Sequence, residues 1–152
     1  PLDFPRSHLG GLEGNCSRFE FLSESQIVVL AKSASKIGVS LNALFLAAFH
    51  VLLSKWSNSD DVVIGLPAAM RDIASIQNLI GYFVSPLPIR GEINKKEKFG
   101  TFAQRIHEKI MMGIKHGKLS FPEIVSAANV PPGSPFNPVF QVCAYYMSFD
   151  AQ

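Results

Sequence analysis

The segment Ile80 to Arg90, which reads IGYFVSPLPIR, constrains the fold of this chain more than any other. Positions 83 to 90 fall into two alternating sets, Phe83, Ser85, Leu87 and Ile89 on one side and Val84, Pro86, Pro88 and Arg90 on the other. A period of two predicts a β-strand. Because each proline removes one backbone donor from the ladder, we expect this strand to be an edge strand, to contain a bulge or to border an opening.

Four segments have the pattern of helices. Ser23, followed by Gln26, forms a capping box, and Gly38 supplies a left-handed stop, so a helix is predicted between them. A second helix begins at Ser40. We expect it to be sandwiched between other elements, because a wide stripe of its surface is apolar: Leu41, Leu44, Phe45, Ala48, Phe49, Val51 and Leu52. Residues Phe99 to Lys115 form an amphipathic helix, and Phe121 to Ala128 form a short one.

Strands alternate with these helices. Arg18 to Leu22 alternates as a strand does, and Val62 to Leu66 is a continuous apolar run of the kind found in buried parallel strands. One helical turn is predicted at Ile76 to Ile80, and a last strand at Val139 to Tyr146 follows a proline-rich loop. Strands and helices in alternation predict an α/β sandwich.

Composition excludes several classes of function. The net charge of +2 comes without a Lys/Arg cluster larger than Lys95-Lys96, so we expect neither nucleic acid nor an anionic membrane as a partner. No apolar run reaches 18 residues, and the start of the chain has no signal-peptide pattern. Cys16 and Cys143 lack metal-ligand spacing and predict two buried, reduced thiols in a cytosolic protein.

Several segments together carry a family resemblance. The strand segment resembles the pattern G-[FY]-F-V-N-[TP]-L-x-[LI]-R of nonribosomal peptide synthetase condensation domains. Five companions occur in the family's order: LDFPR at positions 2–6, SLNALFLAAFHVLLSKW at 40–56, DDVVIGLPAAMR at 60–71, HGKLSFPE at 116–123 and NPVFQV at 137–142. The chain is identified as a member of this family, with the resemblance covering nearly its whole length.

The resemblance implies an architecture. It implies a chloramphenicol acetyltransferase-like lobe, a two-layer α/β sandwich, with residues 1–15 as the inter-lobe linker and 16–152 as part of the C-terminal lobe. The family's His-His-x-x-x-Asp-Gly motif does not occur in this sequence, so we expect the chain to lack the catalytic residues and to be inactive alone. The hydrophobic content of 47% indicates either a compact core or apolar surface that packs against the missing lobe.

The resemblance also implies a reaction and its partners. Condensation domains form an amide bond between a donor acyl thioester and an acceptor amine. Both arrive on phosphopantetheine arms of upstream and downstream carrier domains. The expected partners are therefore these carriers, the N-terminal lobe and the remaining C-terminal strands, while no cofactor is expected to bind directly.

The family motifs assign residues in two groups. Four are expected to line the substrate tunnel between lobes: Tyr82, Phe83, Ser85 and His116. Six more are expected to maintain the structure: Asp61, Gly65, Arg71, Gly81, Arg90 and Pro138. No residue is expected to be catalytic or to bind metal.

Some of these roles have alternatives. Ser85 stands where the family usually has Asn; it either hydrogen-bonds in the tunnel or is a tolerated small residue. His116 either shapes the channel or places a cation at a helix C-terminus. For Arg71 and Arg90 we expect a structural role, in carbonyl contacts or pairs with Asp72 or Glu92, and substrate contact is the alternative.

Two histidines are interpreted without reference to the family. His50 and His107 are both expected to be exposed or at the edge of a helix bundle. After His116, Gly117-Lys118 stands where the family has Gln-Asp, and Ser120 stands where it has Pro.

Two other functions are compatible with the same fold. An epimerase or a stand-alone acyltransferase is the first, although Tyr82 and Val84 differ from the epimerase pattern G-W-F-T. A non-catalytic lobe that docks carrier proteins is the second.

Overall fold

The computed structural model describes residues 22–69, 79–81, 83–117, 119–129 and 137–146. Four helices and three strands lie within these ranges: α1 (Glu24–Ile37), α2 (Leu41–Ser57), β1 (Asp61–Ala69), β2 (Val84–Glu92), α3 (Phe99–Lys115), α4 (Phe121–Ala127) and β3 (Val142–Cys143). The predicted α/β class is confirmed.

The ends of α1 and α2 follow directly from the sequence. Ser23 caps α1 through a reciprocal contact with Gln26, whose side-chain oxygen accepts from the Ser23 N–H at 2.8 Å. Gly38 ends this helix with φ of 74°, a left-handed conformation that glycine adopts without steric cost. The Ser40 hydroxyl accepts from the Ala43 N–H at 3.2 Å at the start of α2. The sequence predictions of these helix ends are confirmed.

The described strands form one sheet in the order β2-β1-β3. Strand β1 pairs antiparallel with β2, with Ile64 opposite Ile89, and parallel with β3, where Ile64 lies opposite Val142. Strand β2 is therefore at the edge of the described sheet, as its prolines predicted.

The register explains how β2 accommodates two prolines. In an antiparallel pair the N–H and C=O of one residue point to the same side of the strand. The carbonyls of Arg90 and Glu92 accept hydrogen bonds from Lys109 Nζ at 2.7 Å and Arg105 Nη2 at 2.8 Å, so these even-numbered positions point away from β1. Pro86 and Pro88 share this parity, and the N–H groups that they lack are not needed for pairing with β1.

The core lies between the sheet and the helices α2 and α3. Its fully buried members include Val62, Ile64 and Leu66 from β1, Leu87 and Ile89 from β2, Leu46, Ala47 and Leu53 from α2, and Phe102, Ile106 and Ile110 from α3. Burying each large aliphatic side chain contributes about 1.5–3 kcal/mol to stability. This single packed layer fixes α2 and α3 on the same face of the sheet.

The predicted orientation of α2 is wrong in part. Ala48 and Leu52, which were expected in the buried stripe, are exposed, whereas Ala43, Ala47 and His50 are buried. The helix is apolar on nearly every side, so periodicity gives little information about which side meets the sheet. The expectation of an exposed His50 is also wrong: its side chain is fully buried.

Other expectations were wrong or lie outside the described residues. The last strand is limited to Val142–Cys143 instead of 139–146, and Cys143 is an exposed free thiol instead of a buried one. Leu79 and Ile80 are not helical. The linker 1–15, Cys16, the loop 131–136 and all but the last residue of the strand predicted at 18–22 lie outside the described residues, and Leu22 is not part of a strand.

Helix length bears on membrane association. Within the described part of the chain, no single helix is long and apolar enough to cross a membrane. Helices α1 and α2 meet that test of length and composition only when taken together, and they are bent by 96° relative to each other.

Gly65 is required by the ring packed above it, which gives a testable prediction. A Cβ at this position would overlap the Phe140 side chain. We expect Gly65→Ala to lower the free energy of unfolding by about 1–3 kcal/mol, measured by urea denaturation, because the Phe140 ring must move.

Gly100→Ala is the matched control, because a Cβ there would only touch Ile37 at 3.8 Å. It should change stability by under about 1 kcal/mol and in the stabilising direction. Equal losses in both variants would contradict the packing argument. Adding Phe140→Ala to Gly65→Ala should then cost less than the two separate losses combined.

Candidate functional site

The predicted tunnel residues begin at the N-terminal end of β2. Phe83 directly precedes the strand and is half-buried, while Ser85 is half-buried and lies opposite Ala68 of β1. Gly81 is exposed, and a Cβ there would approach the Phe83 ring at 2.9 Å. Tyr82 lies outside the described residues.

Helix α3 runs antiparallel to β2. Arg105 contacts the carbonyl of Glu92 and Lys109 contacts that of Arg90, as described above. Farther along the helix, a Cβ on Gly113 would lie 3.3 Å from Leu87. Successive contacts along the helix therefore move backwards along the strand, and the C-terminal end of α3 lies beside the beginning of β2.

His116 lies at this same end. It follows α3 as its C-cap, its backbone N–H donates to the Met112 carbonyl at 3.0 Å, and its side chain is exposed. The antiparallel arrangement thus brings His116 and Ser85, which are 31 positions apart in the printed sequence, to the same end of the α3–β2 pair.

Helix α4 covers the opposite face of the sheet near Gly65. The rings of Phe121 and Phe140 are 5.5 Å apart, and Phe140 stands over Gly65. Ser120 begins the helix: its N–H and its hydroxyl donate to the Glu123 carboxylate at 2.7 and 2.6 Å. These hydrogen bonds hold the pKa of Glu123 below its ordinary value.

The capping role of Ser120 was missed at the sequence level. Ser120 was interpreted only as a departure from the family's Pro. Ser120 and Glu123 nevertheless form the Ser-x-x-Glu pattern of a capping box, which can be recognised in the sequence. The replacement of the family's Pro by Ser120 therefore supplies the N-cap of α4.

Asp61 and Arg90 form an ion pair at the other end of β2. Arg90 donates from Nε to Oδ1 of Asp61 at 2.8 Å and from Nη2 to Oδ2 at 2.7 Å, whereas Glu92 is 3.8 Å away. The hydrogen bonds from Arg90 lower the pKa of Asp61, and the same contact raises the pKa of Arg90. The predicted structural partner, Glu92, is secondary to Asp61. Arg71 lies outside the described residues.

An open cavity of about 630 Å³ adjoins this ion pair. Its lining includes Asp60, Asp61, Glu92, Glu97 and Arg105. Each of these charges has an opposite partner within 4 Å: Lys95 meets Asp60 at 3.1 Å, Arg105 meets Glu97 at 2.7 Å and Lys109 meets Glu92 at 3.6 Å. The charged groups that line this cavity are therefore all paired, and the Arg90–Asp61 and Lys109–Glu92 pairs join β1 to β2 and β2 to α3.

The remaining predicted positions have structural surroundings. Gly65 pairs with Pro88 and Cys143 and carries the Phe140 ring, and Pro138 lies in a bend. Among the described residues, no three His, Cys, Asp or Glu side chains are grouped so that they could hold a metal ion.

One buried polar residue was not anticipated. The His50 ring nitrogens lie within hydrogen-bond distance of the carbonyl oxygens of Leu46 and Ile89. No motif in the sequence signals this position, since the partners are backbone groups.

Comparison with known proteins places this geometry in a family. The family model described as condensation domain matches residues 1–152. Tyrocidine synthase 2 from Brevibacillus parabrevis is 32% identical over 152 residues, a match that covers 99% of this chain and 4% of that protein. The chain thus spans only a few per cent of the length of this relative.

Solved structures show the same fold. The crystal structure of a holo four-domain nonribosomal peptide synthetase bound to AMP and glycine has a TM-score of 0.75 and 31% identity, covering 84% of this chain and 9% of that chain. A complex of the X-domain and OxyB from teicoplanin biosynthesis gives a TM-score of 0.68 at 26% identity, covering 75% of this chain and 25% of that chain. The predicted chloramphenicol acetyltransferase-like α/β fold is confirmed.

The Asp61–Arg90 pair gives a prediction for acid pH. Because its pKa is lowered in the folded chain, ionised Asp61 contributes to stability at pH values above its ordinary pKa of 3.8. That contribution is lost as the pH falls through the folded-state pKa. We expect Arg90→Gln to raise the Asp61 pKa toward 3.8, measured by NMR titration of its carboxyl carbon.

Lys95→Gln, which removes an exposed cation that pairs with Asp60, should leave the Asp61 pKa in place. A similar rise in the Lys95 variant would show that general charge, and not the Arg90 hydrogen bonds, sets this pKa.

Proposed function

The chain belongs to the condensation domain family over residues 1–152, and from this premise we propose that it forms one wall of the substrate tunnel of a nonribosomal peptide synthetase condensation domain. The proposed reaction joins a donor acyl thioester to an acceptor amine. Each substrate is carried on the phosphopantetheine arm of a carrier domain, one upstream and one downstream. A cytoplasmic location goes with this proposal.

The chemistry requires a base and a site for negative charge. The acceptor amine attacks the thioester carbonyl carbon, the C–N bond forms, the C–S bond breaks, and the proton lost by the amine is transferred to the departing thiolate. A positioned base and hydrogen-bond donors to the developing oxyanion lower the barrier of such acyl transfers. In our proposal the His-His-x-x-x-Asp-Gly motif of the first lobe supplies the base, and this chain shapes and lines the tunnel.

One observation carries this assignment to particular residues. Helix α3 runs antiparallel to β2, so the end of the helix with His116 lies beside the end of the strand with Ser85 and Phe83. The half-buried Ser85 offers a hydroxyl and Phe83 offers an apolar surface. Such a combination suits a passage through which a thioester and an amine approach each other.

Exposed apolar side chains support a larger assembly. Val28 and Val29 of α1 are 52% and 61% exposed, and Met111 and Met112 of α3 are each 54% exposed. Apolar surface of this kind is typical of faces that pack against another unit. The N-terminal lobe and further C-terminal strands are the partners that we propose for it.

The tunnel role of Ser85 can be tested in the intact domain, which joins this chain to the preceding lobe. We expect Ser85→Leu to lower the rate of amide formation between two loaded carrier proteins by about tenfold or more, because the larger side chain displaces the reacting groups. Product is measured by mass spectrometry after a fixed reaction time.

Ser126→Leu is the matched control, since Ser126 is exposed on α4. It should retain the parent rate, and both variants should keep the parent unfolding midpoint. A Ser85→Leu domain that is fully active and folded would remove Ser85 from the tunnel.

The 152-residue chain by itself gives a second test. We expect no amide product from it with the same loaded carriers, because the proposed base is supplied by the other lobe. Product formation that is abolished by His116→Ala would instead place the base within this chain.

A non-catalytic docking lobe is the second candidate function. It is favoured by the likeness to the X-domain of teicoplanin biosynthesis, which was solved as a complex with OxyB. Titrating the labelled chain with a holo carrier protein tests for docking, which predicts concentration-dependent amide shifts. The intact-domain assay distinguishes the two functions, because a non-catalytic docking lobe forms no amide product there. An epimerase or stand-alone acyltransferase of the same fold would be revealed by its product in the intact-domain assay.

A further inference from the structure

The buried imidazole of His50 bridges two elements of the core. Its Nδ1 lies 2.8 Å from the carbonyl oxygen of Leu46, one turn earlier in α2, and its Nε2 lies 3.0 Å from the carbonyl oxygen of Ile89 in β2. The side chain has no exposed surface. Both ring nitrogens therefore meet acceptors in a place without access to bulk water.

The backbone beside the ring is shaped to receive it. A Cβ on Gly91 would overlap the His50 ring, so only glycine lets α2 approach β2 this closely. The Phe102 ring of α3 meets the imidazole edge-on, with centroids 6.2 Å apart. Three elements thus enclose the imidazole on different sides.

The number of N–H donors on the ring matches the two carbonyl acceptors only when the imidazole is doubly protonated. A neutral imidazole has one N–H, so it can donate to only one of these carbonyls, and its other nitrogen presents a lone pair to an oxygen. The doubly protonated ring can donate to both, but it places a positive charge in the core. The two states therefore hold α2 and β2 together differently.

The surroundings of His50 decide which state prevails near neutral pH. Burial lowers the pKa of His50 from its ordinary 6.5, the hydrogen bonds to Leu46 and Ile89 oppose this, and the positive charge of Lys109 on α3 adds to the lowering. Other charged groups near the ring are Arg105, whose guanidinium lies over the Phe102 ring, and Arg90 and Glu92, which flank Gly91 and are solvent-exposed. Helix α3 also carries Glu108 and Lys115.

We propose that His50 is a positioning residue that joins α2 to β2 in a proton-dependent way. The neutral ring donates from Nδ1, which has the shorter contact, to Leu46 alone. The protonated ring donates from Nε2 to Ile89 as well, and so adds a hydrogen bond to the strand that carries Ser85 four positions earlier. This inference concerns the structure of the chain itself and does not depend on the condensation activity.

Protonation has opposite local and global consequences. Locally it adds the second hydrogen bond. Globally, a lowered folded-state pKa means that the unfolded chain binds the proton more tightly, so stability is complete above pH 6.5 and falls as pH decreases below it, until the folded-state pKa is passed. Between pH 7.5 and 5.5 the folding equilibrium constant should fall by up to about tenfold.

The decisive measurement is an NMR titration of the full 152-residue chain. At pH 7.5 the ¹⁵N shifts of the His50 ring should show a protonated Nδ1 and an unprotonated Nε2. On acidification Nε2 should gain its proton, and the ¹³C shift of the Ile89 carbonyl should move with the same midpoint. This test requires no variant.

Three outcomes would overturn the proposal. A proton on Nε2 at pH 7.5 would mean that the bond to Ile89 does not depend on pH. A His50 ring that stays neutral until the chain unfolds would remove the second state. An Ile89 carbonyl shift that does not follow the ring titration would separate the imidazole from β2.

Substitution gives an independent readout. His50→Gln retains an amide donor without a titratable ring, so its urea midpoint should lose the dependence on pH between 7.5 and 5.5 that the parent shows. His116→Gln, which removes an exposed imidazole, should retain that dependence. Parent-like dependence in the folded His50 variant contradicts the proposal, and if that variant does not fold, the titration of the parent chain decides.

Discussion

The position of β2 at the edge of the sheet that the described strands form is the constraint on which the rest of the structure depends. An edge strand presents carbonyls that no neighbouring strand satisfies. Here the carbonyls of Arg90 and Glu92 accept from Lys109 and Arg105 of α3. Because the earlier cation, Arg105, meets the later carbonyl and Lys109 meets the earlier one, α3 must run alongside β2 in the opposite direction. That direction brings the end of α3 to the beginning of β2, where the candidate tunnel residues lie.

How much of this fold the sequence could predict differs between α3 and α2. Helix α3 has apolar residues at Phe102, Ile106 and Ile110 against a charged opposite side, and both its bounds and its buried face follow from that contrast. Helix α2 has a clear cap at Ser40 but almost no polar side, so its start could be predicted and its rotation could not. The sheet, and not the helix sequence, selects Ala43, Ala47 and His50 as its inner residues.

The candidate site shows a similar division. The motifs identify Ser85, His116, Asp61 and Arg90 by type and order, but they carry no information on register. The register places Asp61 opposite Glu92, and this makes Asp61 a diagonal neighbour of Arg90 on one face. An arginine can pair with either carboxylate, so only the strand pairing decides. His50, Lys109 and Arg105 bind backbone carbonyls. Every residue has such a carbonyl, so a sequence motif cannot identify these partners.

Gly65 and Gly91 show how both faces of the sheet are used. The Phe140 ring stands over Gly65 on one face, and the His50 ring stands against Gly91 on the other. Gly91 lies between Arg90 and Glu92, whose carbonyls accept hydrogen bonds from α3. The absence of a side chain at Gly91 leaves room for the His50 ring of α2, so this short stretch contacts both helices. The C-terminal half of β2 is therefore held by both helices. Its N-terminal end lies beside the last turns of α3, with Phe83 just before the strand and the half-buried Ser85 within it, which is where we propose the tunnel.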